Sequence, residues 1–96
     1  MNTVEGFKLS EDPREDKIQK AAILARMFTL LDLDTIRLST YYGEKIKKLD
    51  IADRKEEADE IGKEWKAMFK GFVIKNLMHT DLTDDEVKDA VKYLKL

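Results

Sequence analysis

The longest apolar stretch of the chain runs from Ala21 to Leu33, and only Arg26, Thr29 and Asp32 interrupt it. On a helix, Ile18, Ala21, Leu24, Ala25, Phe28 and Leu31 fall on one side, and Ile23, Met27 and Leu30 spread onto the next. An arc that wide asks for more than one packing partner. The pattern therefore makes this first helix the centre of the fold, with Phe28 in the core. Its start is marked by Asp12-Pro13-Arg14-Glu15. Asp12 suits the cap, Pro13 the first helical position, and Glu15 the reciprocal position of a capping box. The helix is expected over 12–31, after a flexible N-terminal arm of residues 1–10 that carries Val4, Phe7 and Leu9.

Three more helices follow from the same periodicity. The second is expected over 35–49, capped by Asp32 or Asp34, with Ile36, Leu38, Tyr41 or Tyr42, Ile46 and Leu49 inward. Gly43 weakens it by ~1 kcal/mol relative to alanine. The third covers 53–79. Ala58, Ile61, Trp65, Met68, Phe69, Phe72 and Asn76 share one face of it, and Trp65 is expected to be buried. Gly62 and Gly71 would permit close helix contact or a bend. Nothing between Asp50 and Asp53 forbids helix, so one continuous helix over 35–79 is the competing reading. The fourth, over 83–95, has the best-defined start. Thr83 and Glu86 form a capping box, Leu82 and Val87 have staple spacing, and Val87, Ala90, Val91 and Leu94 make the stripe. The expected fold is all-α, a small four-helix bundle, antiparallel or partly orthogonal, in one domain over 11–96.

Composition narrows the chemistry. Ninety-six residues make one domain with a modest core. Without cysteine there is no disulfide, no thiolate zinc site and no covalent haem attachment. Lys plus Arg (18) and Asp plus Glu (20) nearly cancel to a net charge of -2, which argues against a general nucleic-acid coat and leaves room only for a local basic face. The N-terminus lacks a secretory pattern, and Ala21–Leu33 falls short of the ~20 apolar residues that span a bilayer. A cytoplasmic address is expected. The single histidine, His79, has no triad partner in Ser10 or Ser39 and sits where a helix C-terminus offers free carbonyls. It cannot supply the two Glu-x-x-His motifs of a di-iron bundle. The acidic cluster Glu56, Glu57, Asp59 and Glu60 reads as a solvated helix face, and Asp81, Asp84, Asp85 and Glu86 as capping. No catalytic residue, cofactor or metal is expected.

A small bundle with no assembled catalytic set points to a non-enzymatic protein acting through protein–protein interaction. Two faces are candidates. Lys63, Lys66 and Lys70 lie opposite the aromatic stripe of the third helix and could meet nucleic acid or a protein partner. Within 54–75, Ala58, Ile61, Gly62, Trp65 and Met68 approximate a helix-turn-helix, so a DNA-binding transcriptional regulator is the alternative. No arginine lies between Lys63 and Lys75 for bidentate guanine contacts. A second alternative is an accessory subunit of a larger enzyme. Ile23, Met27 and Leu30 exceed what three narrow stripes can cover, which makes them the expected face of a homodimer.

Overall fold

The computed structural model describes residues 8–96, so residues 1–7 of the expected arm lie outside the described residues. Helix α1 spans Pro13–Leu31. The Asp12 carboxylate accepts from the Arg14 amide at 2.9 Å, and Pro13 takes the first helical position, as the sequence requires. The reciprocal half of the box does not form. The Ser10 hydroxyl donates to Glu15 instead (3.1 Å), and the Asp12 amide donates to that same hydroxyl oxygen (3.3 Å). The Leu9 amide donates to Asp16 Oδ1 at 2.8 Å and ties the preceding chain to the first turn. That amide, followed by Lys20 at 3.0 Å, holds the Asp16 carboxyl below its ordinary range.

One residue joins α1 to α2 (Leu33–Ile51). Asp32 is extended, so the helical path breaks there. Its amide closes α1 on the Thr29 carbonyl at 3.2 Å, and its carboxylate caps α2 by accepting from the amides of Asp34 and Thr35. The second break also has a definite geometry. The Arg54 amide reaches the Leu49 carbonyl (2.9 Å) and the Asp53 amide reaches the Asp50 carbonyl (3.0 Å). These two bonds make a Schellman motif, which needs a left-handed residue between helices; Asp53, at φ 60°, supplies it. Glycine usually fills that position, but aspartate tolerates it, which is why composition alone left 35–79 open as one helix. The chain there forms two helices, α2 and α3 (Lys55–Leu77).

Helix α4 (Asp84–Leu94) begins at the expected capping box. The Thr83 amide donates to Glu86 Oε1 at 2.9 Å and the Glu86 amide to the Thr83 hydroxyl at 3.3 Å. Among the described residues the architecture is all-α with four helices, the fold class expected.

The hub is α3 rather than α1. Phe69, Val73 and Leu77 of its C-terminal half form the buried core with Ile18, Ala22 and Ala25 of α1 and Ala90 of α4. Its N-terminal half pairs with α2, which runs antiparallel to it. Tyr42 stacks on Trp65 with centroids 5.5 Å apart, Trp65 leans on Phe69 at 5.9 Å, and Ile46 lies by Gly62. Trp65 is half-buried in this stack rather than enclosed. The lengths explain the shape. A helix of 23 residues is ~34 Å long and one of 11 only ~16 Å, so α1 and α4 cover one end of α3 and the α2–α3 pair projects beyond them. The radius of gyration is 16.5 Å, against ~12.5 Å for a spherical domain of this size, and the principal extents are 55 × 28 × 23 Å. Neither glycine expected to mark a close approach is needed for one. A Cβ on Gly71 would meet nothing, and one on Gly62 would make ordinary contact with Ile46.

Two outcomes follow for α4. Thr83→Ala should lower the unfolding free energy by ~1 kcal/mol, read from the urea midpoint; an unchanged midpoint would mean that α4 does not start there. The second concerns acid. The Thr83 amide chiefly holds the Glu86 carboxyl below its ordinary value, with help from the Thr83 hydroxyl, Lys17 and Arg14, while burial opposes them. A depressed carboxyl contributes stability above its unfolded pKa of 4.5 and loses it as the pH falls through the folded value. Urea midpoints measured from neutral pH downward should therefore show a shallower acid limb for Glu86→Gln than for the wild type, and superimposable limbs would contradict the assignment.

Candidate interaction face

The four buried residues of α1 are Ile18, Ala22, Ala25 and Thr29, all 3% exposed or less. They recur at four- and three-residue steps, so they form one straight stripe. Two alanines and a threonine present a low surface that fits closely against Val73 and Leu77. Thr29 also fixes the rotation of α1. Its hydroxyl donates to the Ala25 carbonyl at 2.8 Å and accepts from Asn76 Nδ2 of α3 at 2.6 Å. A part-buried amide–hydroxyl pair of this kind is directional in a way that methyl contacts are not.

With the small stripe inside, the large side chains of α1 point out. Leu24, Phe28 and Leu31, expected in the core, are exposed; Phe28 is 61% accessible and Leu31 72%. The physical reason is that the Thr29–Asn76 bond and the alanine stripe set the helix rotation by fit, whereas hydrophobicity alone favours burying the larger residues. Of the expected dimer face, Met27 and Leu30 are about half exposed and Ile23 is half-buried. These three face an open cleft of about 510 Å³ against Tyr93 and Leu94 of α4, with Arg26 and Lys95 beside them. Across the Asp32 corner, Leu33 and Ile36 extend the apolar surface onto α2. An aromatic side chain carries roughly 150–250 Å² in full and an aliphatic one of this size falls near the lower end, so the seven exposed residues, each 45–72% exposed, present on the order of 700 Å² of largely apolar surface. The largest patch on an ordinary monomer is ~300–600 Å².

The lysine face is also real as geometry. Lys63 and Lys66 are exposed and Lys70 half-buried, all on one stripe of α3, and none is ion-paired among the described residues. The aromatics of that segment turn inward: Phe69 is buried, and Trp65 and Phe72 are half-buried. However, α3 runs unbroken from Lys55 to the end of the 54–75 segment, so the turn that a helix-turn-helix needs is absent from it.

Other groups singled out in the sequence have local roles. His79 is exposed in the turn after α3, where the Thr80 hydroxyl rather than the imidazole bonds the Leu77 carbonyl. Glu57 pairs with Arg54 at the start of α3, and Asp84 and Asp85 occupy the first turn of α4. Among the described residues no three His, Cys, Asp or Glu side chains converge as a metal site requires. Tyr42 donates to Glu64 at 3.3 Å; burial first, and the nearby Glu64 charge second, push its phenol above the usual value. A second cleft, of about 410 Å³, opens between the start of α1 and α4 and is polar, bridged by Arg14 and Asp89 at 3.2 Å. No helix among the described residues is long and apolar enough to cross a membrane.

No protein-family model matches the chain, and neither the curated proteins nor the solved structures contain a significant match to it.

Proposed function

We propose that this chain is a non-catalytic interaction protein that binds a protein partner through the outward apolar face of α1 and the first turn of α2. The observation that carries the reading is that face itself: Leu24, Met27, Phe28, Leu30 and Leu31 stand in solvent on a helix anchored by its opposite side. Water contact at so much apolar surface is unfavourable by ~25 cal/mol per Å², which a docked partner would recover. An accessory-subunit role would use the same face, with an enzyme as the partner. A second reading rests on a separate observation, the unpaired stripe Lys63, Lys66 and Lys70, which suits contact with phosphates. It ranks below the first because Asp59 and Glu64 border the stripe and the net charge of the chain is negative.

A photoreactive phenylalanine analogue placed at Phe28 or at Lys63 in the native cell separates the two. Irradiation should give protein adducts from position 28 and none from position 63. Adducts from position 63 alone, to protein or to nucleic acid, would overturn the assignment of the face.

A further inference from the structure

We infer that the occupant of this face is a second copy of the chain, with the two α1 helices antiparallel about a two-fold axis near Met27. The inference rests on the reading of the face given above and names its partner. Three observations support it.

The first is area. A stable interface of standard size buries ~800 Å² per partner. The exposed residues of α1 and the start of α2 offer on the order of 700 Å² before any neighbouring polar rim is counted. One face of this protein thus matches what one half of a two-fold interface needs.

The second is spacing. Ile23, Met27 and Leu30 form one row, and Leu24, Phe28 and Leu31 a second row beside it. Each row steps by four and then three residues, the interval at which one helix receives the side chains of another. Two rows side by side fit a partner helix lying along the groove between them, and α1 of a second copy has the same rows to offer.

The third is the distribution of charge. Lys17 and Lys20 lie toward the N-terminal end of the face, just after Asp16, which pairs with Lys20 at 3.0 Å, and Asp32 and Asp34 lie at the C-terminal end. Lys20 precedes Met27 by seven residues and Asp34 follows it by seven. With Met27 on the axis, an antiparallel pairing sets Leu24 by the partner's Leu30, Ile23 by the partner's Leu31, and the Lys20 end by the partner's Asp32 and Asp34. Asp34 stays within reach because it sits in the first turn of α2, just past the corner. A parallel pairing would set lysine against lysine and aspartate against aspartate. Antiparallel helices also align their dipoles favourably. A net charge of only -2 leaves little general repulsion between copies.

The chain has no cysteine, so single engineered cysteines report the geometry without background. Sedimentation equilibrium of the full chain at about 1–100 µM, a range that brackets a micromolar Kd, should give a mass that rises with concentration toward twice the 11.2 kDa chain mass. Under mild oxidation Met27→Cys should link to itself, because a disulfide needs its Cα atoms roughly 4.4–6.8 Å apart and only the axis brings identical residues that close. Lys20→Cys should not link to itself but should link to Asp34→Cys when the two variants are mixed. Lys63→Cys, on the far face of α3, should link to nothing. Self-linking of Lys20→Cys would overturn the antiparallel arrangement. A monomer mass throughout the concentration range would overturn the second copy as occupant. Adducts at position 28 to a different protein would then leave the binding face itself standing.

Discussion

The structure depends on one contact, the low stripe Ala22, Ala25 and Thr29 of α1 laid against Val73, Leu77 and Asn76 of α3. The fit is tight because the α1 side chains there are small, and its rotation is set because the Thr29 hydroxyl bonds the Asn76 amide at 2.6 Å. A helix has one rotation about its axis. Once the small stripe faces α3, every large apolar residue of α1 outside it must face α4, α2 or water. Helix α4 is too short to cover them, and α2 leaves at the Asp32 corner to follow the other end of α3. The exposed face is therefore a consequence of how α1 is docked.

The same contact accounts for the elongated outline. Among the described residues α3 is the longest helix, and it serves two sets of neighbours. Its C-terminal half holds α1 and α4 through aliphatic contacts, and its N-terminal half holds α2 through the Tyr42–Trp65 stack. The two joints are correspondingly strict. Asp32 ends one helix and caps the next with the same side chain, and Asp53 adopts the left-handed conformation that reverses the chain into α3. Between them they direct α2 along α3 and away from the apolar side of α1, whose large residues then stay exposed.

Much of this was legible in the residues. The capping signals at Asp12 and Thr83 placed two helix starts, because a side-chain oxygen followed by free amides is a local feature that tertiary structure rarely overrides. The second helix, read as 35–49 with Asp32 or Asp34 as its cap, instead begins two residues earlier, capped by Asp32. The face of α3 was also readable, since its aromatics recur at helical spacing and have only one side on which to be buried. The rotation of α1 was not. Hydrophobic weight favours Leu24, Phe28 and Leu31 inside, while the stripe actually buried is lighter and includes a polar residue. The signal was present in Ile18, Ala22, Ala25 and Thr29 at four- and three-residue steps, but small residues register only when fit is weighed alongside hydrophobicity. The Asp53 turn was hidden for a related reason: aspartate does not announce a left-handed residue as glycine does. The candidate face was half visible. Ile23, Met27 and Leu30 were singled out as excess apolar surface, whereas Leu24, Phe28 and Leu31 were assigned to a core that does not contain them.

The side of α1 that faces inward is the central claim, and paired substitutions on its two sides measure it most directly. Urea unfolding at sub-micromolar concentration, below the range expected for association, would compare Ala25→Leu with Phe28→Ala. Overpacking a closed contact costs about 1–3 kcal/mol and an exposed surface change within about 0.5 kcal/mol, so Ala25→Leu should be the damaging variant and Phe28→Ala the mild one. A loss of ~3–5 kcal/mol for Phe28→Ala with Ala25→Leu tolerated would mean that the large side chains are the buried ones, and the account of the face would be wrong.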